Sequence, residues 1–203
     1  MMSVLTSQMI EERINLNEED LEQKLVISPL LEKSQLNGVS IDLRLGTEFK
    51  VSIPTKSPLI GMVDEPIEQF FQTTFRSFGE NFILHPNQLV LVNTFEYIRI
   101  PNDLVGMIST RSSLNRLGLN VTSLIHPGYA GTLTLQLENN GINAINLTCG
   151  MRLIQLILFS SSAVPQAYIS NSVSKYISNT SPILSQINRD SDLETLKKFD
   201  ASS

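Results

Sequence analysis

The stretch "QLVLVNTFEYIRIPNDLVGMIST", residues 88–110, holds two strand-length runs rich in Val, Leu, Ile, Tyr and Phe, joined by Pro-Asn-Asp. β-branched and aromatic residues suit a pleated, half-buried surface, and Pro, Asn and Asp favour turns, so the stretch reads as strand, turn, strand. The same grammar extends to both sides. "NFILH" (81–85) precedes it, and "LNVTSLI" (119–125), "TLTLQLEN" (132–139), "AINLT" (144–148) and "MRLIQLILF" (151–159) follow. Pro-Gly, Asn-Gly and Cys-Gly pairs punctuate these runs. Many short strands at roughly ten-residue spacing predict a sandwich, jelly roll or barrel.

Further upstream, "TSQMIEERI" (6–14) has a helical pattern, with Thr6 or Ser7 as cap and Met9, Ile10 and Ile14 on one face. "NEEDLEQKL" (17–25) reads as a second short helix or a charged insertion. After Asn37-Gly38 the beat becomes alternating: Ile41, Leu43 and Leu45 interleave with Asp42 and Arg44, and Phe49, Val51 and Ile53 continue it. Asp42 and Arg44 are expected on the polar face of this strand as a structural ion pair. Residues 54–81 read as a long loop with a short helix or strand in "EQFFQTTF". From about residue 160 the chain turns rich in Ser, Asn and Ile and is expected to lie on the surface. The predicted division is an N-terminal helical segment (1–37), a β domain (38–160) and a C-terminal tail (161–203).

With 203 residues and 41% hydrophobic content, the chain can bury a sizeable core. Fifteen basic against twenty acidic residues leave a net charge of −5. That balance argues against a general nucleic-acid binder, while a local basic pocket for a small anion stays open. A single cysteine, Cys149, allows no intrachain disulfide and no Cys-based zinc site. The N-terminus shows no signal-peptide pattern, and no apolar run nears the ~20 residues of a membrane span. A cytoplasmic protein with no membrane contact is expected.

The densest chemical signal is "STRSSLNRLG" (109–118), which sets Arg111, Ser112, Ser113 and Arg116 around a helical turn that Ser112 or Ser113 would cap and Gly118 would stop. Guanidinium forks, hydroxyls and backbone N–H groups together suit phosphate. An ordinary serine cap with surface arginines explains the same residues equally well. His85 and His126 are the only histidines, and each precedes a proline. No His-x-Glu with Cys-x-x-Cys and no P-loop occurs, which excludes a zinc-dependent deaminase of that kind and a Walker-type nucleotide site. Thr134, Gln136 and Glu138 alternate along one predicted strand, so they share a face.

Taken together, "GVSIDLRLG" (38–46), "FILHPNQLVLVNTFEYIRIPNDLVGMISTRSSLNRLGL" (82–119), "IHPGYAGTLTLQLEN" with "CGMRLIQLILF", and "AYISNSVSKY" (167–176) resemble the dCTP deaminases of the trimeric dUTPase-like superfamily. The resemblance implies a mainly β, distorted jelly roll or barrel, a homotrimer with sites between subunits, and a tail that folds over bound nucleotide. It further implies that Arg111, Ser112, Ser113, Arg116, Tyr168 and Lys175 contact the triphosphate of dCTP or dUTP. Asn179 stands where the family usually has glutamine. Mg²⁺ would be carried by the phosphates, with no protein-held metal.

At the catalytic end the chain departs from the family. Gln136 stands at the position of the glutamate that shuttles protons in the deaminases, and His126 stands where the family has an aspartate before the turn. Between "RLGL" and "IHPGY" the chain is about three residues shorter than the pattern. The expectation is a triphosphate-binding relative with impaired or lost deamination of dCTP to dUTP and ammonia. Three rivals remain: an active deaminase using Glu138, a dUTP diphosphatase, and a non-catalytic trimeric nucleotide-sensing or protein-interaction module.

Overall fold

A computed structural model of the chain describes residues 3–20, 22–56, 59–61, 66–162 and 180–187. Helix α1 spans Ser7–Ile14, and Thr6 is its cap, accepting a hydrogen bond from the Met9 amide through its hydroxyl at 3.4 Å. Strands follow in the order β1 (Val26–Ser28), β2 (Leu36–Asn37), β3 (Ser40–Ser52), β4 (Phe71–Phe75), β5 (Asn81–Leu84), β6 (Leu89–Arg99) and β7 (Leu104–Thr110). Then come helix α2 (Ser112–Asn115), β8 (Leu119–Asn120), β9 (Thr122–Ile125), β10 (Ala130–Asn139), β11 (Ile145–Thr148) and β12 (Arg152–Ser160). Among the described residues of 17–25 there is a 3₁₀ turn at Glu18–Asp20, and "EQFFQTTF" divides into a 3₁₀ turn (Ile67–Phe70) and β4.

The main sheet runs β8-β10-β6-β3-β12-β7-β9, with β1 on β6 and β2 and β4 on β3, and every pairing in it is antiparallel. Its two ends, β8 and β9, are separated in sequence by Val121 alone, so the sheet curls round on itself into a nearly closed barrel. Thr110 secures this seam: its hydroxyl accepts from the Val121 amide (2.7 Å) and donates to the Val121 carbonyl (3.3 Å). β11 and β5 form a separate two-stranded ribbon. Among the described residues, no helix is long and apolar enough to cross a membrane.

Period-two alternation sets which side chains enter the barrel. On β10, Leu133, Leu135 and Leu137 are buried in the core cluster, which puts Thr134, Gln136 and Glu138 on the opposite face. Leu5 and Ile10 of the N-terminal segment join the same core, and the Leu5 amide donates to the Leu158 carbonyl at 2.9 Å. Where β3 and β6 slip register between Leu45 and Phe49, Gly46 is required, because a Cβ there would lie 2.5 Å from the Asn93 carbonyl oxygen.

One carboxyl group sits among these apolar residues. Glu96 of β6 is fully buried; its Oε2 accepts from the Arg44 amide (2.8 Å) and its Oε1 from Gln35 Nε2 (3.1 Å). Loss of water raises its pKa above the ordinary carboxylate value, and the hydrogen bond from the Arg44 amide only partly opposes that rise. The folded protein therefore binds this proton more tightly than the unfolded chain does. Its stabilising contribution is complete below the unfolded value and declines as pH rises through the raised one. In urea titrations, the stability of the wild-type protein relative to the non-titrating Glu96→Gln variant should fall from pH 4 to pH 8. Glu96→Leu should lose about 1–3 kcal/mol at neutral pH, because it orphans buried donors.

Candidate nucleotide site

β9 leads through His126 and Pro127 into β10, and the turn is pinned from both sides. The Tyr129 amide donates to the His126 carbonyl (3.2 Å), the Gly128 amide to the Ile100 carbonyl (3.0 Å), and the Ile100 amide to the Tyr129 carbonyl (2.8 Å). Gly128 takes a φ of 79°, in the left-handed region. The exposed His126 is thereby set at the start of the strand that carries Gln136.

A cleft of about 460 Å³ opens beside that strand. Its polar lining includes His126, Thr134 and Gln136, and Ile108, Leu124 and Leu133 form part of its apolar wall. Glu138, one position further along the face, lies outside the lining but within reach of it: Gln136 Nε2 donates to Glu138 Oε1 at 2.6 Å. That contact confirms that the two side chains share a face. It also occupies one edge of the carboxamide and leaves the carbonyl oxygen as an acceptor.

Ile183 and Ser185 of the described tail segment line the same cleft. The segment is fastened where the Ile183 amide donates to Thr134 Oγ1 (3.1 Å) and Asn93 Nδ2 donates to the Thr180 carbonyl (2.7 Å), with Leu184 buried beneath it. The serine- and asparagine-rich composition disguises this docking. Its only sequence signal is the isoleucine and leucine of "SPILS" (181–185).

The arginine–serine group sits elsewhere. Arg111, Ser112, Ser113 and Arg116 are absent from the cleft lining; Ser112 and Ser113 are exposed on α2, and Arg116 is exposed at its C-terminal cap. Neither serine caps that helix. Arg111 takes the cap position without a side-chain hydrogen bond, because the turn begins one residue earlier than the serines suggest. Gly118 ends the turn as expected, with a φ of 100°. Tyr168, Lys175 and Asn179 lie outside the described residues.

The expected pairing of Asp42 with Arg44 is also corrected. Asp42 Oδ2 lies 3.5 Å from Arg152 Nη1 and 3.7 Å from Arg111 Nε, while Arg44 turns to Glu32 (3.2 Å) and to the Gly150 carbonyl (2.9 Å). Adjacent strands supply the reason, since the β3–β12 register sets Gln155 opposite Asp42 and brings the start of β12 beside it. Arg152 itself is anchored on Glu32 at 2.6 Å. Serine hydrogen bonding and the Arg152 charge hold the exposed Glu32 carboxyl below its ordinary value.

The sequence model of the dCTP deaminase-like family matches residues 4–161. The chain belongs to the dCTP deaminase-like family. It is 34% identical over 200 residues to the "dCTP deaminase, dUMP-forming" of Methanobrevibacter smithii, covering 95% of this chain and 100% of that protein. With the dCTP deaminase of Colwellia psychrerythraea, identity is 33% over 193 residues, 87% of this chain and 98% of the relative. Among solved structures, the 2'-deoxycytidine 5'-triphosphate deaminase of Agrobacterium tumefaciens superposes with a TM-score of 0.60 at 20% identity. That match covers 79% of this chain and 49% of the other, so the chain spans about half of that solved protein. At this identity the likeness speaks for the fold alone, a mainly β barrel with a short N-terminal helix.

Proposed function

We propose that this chain is a deoxypyrimidine nucleoside triphosphate-binding protein, taking dCTP or dUTP, whose deaminase chemistry is impaired or lost. The single observation that carries the reading is the pairing of an intact Arg111, Ser112, Ser113 and Arg116 set with a carboxamide, Gln136, on the cleft-facing strand. The arginine–serine set supplies positive charge and donors for the phosphates, and Mg²⁺ enters on the phosphate oxygens as part of the substrate. Tyr168, Lys175 and Asn179 of the tail complete the phosphate contacts.

Because the phosphate set and the cleft are separate within one chain, the reading includes a homotrimer in which neighbouring subunits share each site. The setting is cytoplasmic nucleotide metabolism, with no nucleic-acid or membrane partner. Calorimetry with dCTP and Mg²⁺ should give a saturable isotherm, with dCMP bound at least about 100-fold more weakly; that loss is ~2.7 kcal/mol, within what two charge-assisted contacts supply. No heat from either dCTP or dUTP would overturn the reading.

One contact favours a second reading, in which Glu138 serves as the base. Its carboxylate already touches Gln136 at 2.6 Å, so a small shift of the strand end would bring it to the cleft. If ammonia is released from dCTP at all, Glu138→Gln decides between the readings: surviving activity removes Glu138 as the base. Relatives are named both for dCTP deamination and for forming dUMP, so products should be resolved by chromatography into dUTP and dUMP.

A further inference from the structure

We infer that Asp42, with its carboxylate locked by Arg152, is a positioning residue that aims Arg111 at bound phosphate. The inference rests on the phosphate-binding reading and adds to it a residue that is neither basic nor part of the arginine–serine motif.

Asp42 lies near the start of β3, where strand alternation with Ile41 and Leu43 turns it away from the core, yet its side chain is only 4% exposed. Two guanidiniums and one amide cover it. Gln155 Nε2 donates to Oδ1 at 3.4 Å, and both Arg111 Nε and Arg152 Nη1 face Oδ2. The two cations are held differently. Arg152 is 20% exposed and tied at three further points: to the Glu32 carboxylate, to the Ser34 carbonyl at 3.1 Å and to the Ser34 hydroxyl. Among the described residues, Arg111 is 38% exposed and has Asp42 and the Arg152 carbonyl, 3.4 Å from its Nη1, to orient it.

The electrostatic consequence follows from this difference. The cluster sets three guanidiniums, Arg44, Arg111 and Arg152, against two carboxylates, Glu32 and Asp42, which leaves one positive charge in excess, and Arg44 and Arg152 stay directed at Glu32. The excess falls on the more exposed fork, that of Arg111. At 3.5–3.7 Å these are ion pairs and not close hydrogen bonds, so the attraction orients Arg111 without consuming its donors. A guanidinium fork recognises phosphate only when its plane is set correctly, and holding that plane in advance removes an ordering cost from binding. Without the carboxylate, Arg111 and Arg152 would repel each other and Arg111 would swing toward solvent.

A double-mutant cycle on the full-length protein tests this, with dCTP and Mg²⁺ as the probe and calorimetry as the readout. Asp42→Asn should weaken dCTP binding about tenfold, ~1.4 kcal/mol. The same change in an Arg111→Gln background should weaken it less than about twofold, because nothing is left to aim. Arg111→Lys serves as the background if Arg111→Gln binds too weakly to measure. A merely structural role for Asp42 would produce equal losses in both backgrounds, and that result overturns the inference. If Asp42→Asn does not fold, Arg152→Lys takes its place; it keeps the charge but loses the fork that joins Glu32, Ser34 and Asp42, and the same non-additivity is expected. Absence of dCTP and dUTP binding by the wild-type protein would overturn the proposed function and this inference together; wild-type binding with additive losses overturns the inference alone.

Discussion

Ammonia release from dCTP by this chain should run about 10²–10⁴-fold slower than in a relative with glutamate at the position of Gln136, the span that a general acid–base group ordinarily supplies. The carboxamide of Gln136 lines the cleft, but it can neither take a proton from an attacking water nor return one to a leaving amine near neutral pH. Restoring the carboxylate alone should not rescue the rate. In Gln136→Glu the new carboxylate would face Glu138 across what is now a 2.6 Å hydrogen bond, and two like charges that close push one of them toward its protonated form. A second deficit around the pyrimidine belongs to the proposed reading, because the connection ahead of His126 is expected to be about three residues shorter than the family pattern. Continuous ammonia measurement on the wild-type protein, Gln136→Glu and Glu138→Gln checks this. A wild-type rate near the ~10 s⁻¹ typical of enzymes would contradict it.

Phe49→Ala should lose about 3–5 kcal/mol of folding stability, the range for emptying a large aromatic site in a packed core. Phe49 is fully buried on β3 and stacks on Phe82 of β5, with ring centroids 4.1 Å apart and planes 1° from parallel. The stack is one of the contacts that join the main barrel to the β5–β11 ribbon, so relaxation around the cavity would have to move two sheets at once. Phe49→Leu, which refills much of the volume, should lose clearly less. Urea unfolding at constant pH reads both; equal stability of Phe49→Ala and wild type would show that the stack carries no load.

Legibility of the fold followed the range of the interactions. β6, β7, β10 and β12 were plain because each is a long β-branched or aromatic run closed by turn residues. β1 was not, because its three residues sit in charged surroundings and become a strand only by pairing Val26 with Arg99. "EQFFQTTF" was ambiguous for a physical reason: its first half makes a 3₁₀ turn and its second half pairs with β3, so both periods are present. The site divides the same way. His126 and Gln136 belong to a local turn and its strand, and their proximity to one cleft could be anticipated. Asp42 and Arg152 come from two strands and Arg111 from the cap of α2, a juxtaposition no local pattern specifies, and the nearest sequence neighbour, Arg44, is the wrong partner.

The central claim, phosphate recognition kept while proton chemistry is lost, is tested most directly by a crystal structure of the chain grown with dCTP and Mg²⁺. The account predicts a nucleotide whose triphosphate lies against Arg111, Ser112, Ser113 and Arg116, with its pyrimidine in the cleft beside Gln136. A triphosphate seated away from those four residues, or a pyrimidine outside that cleft, would contradict it.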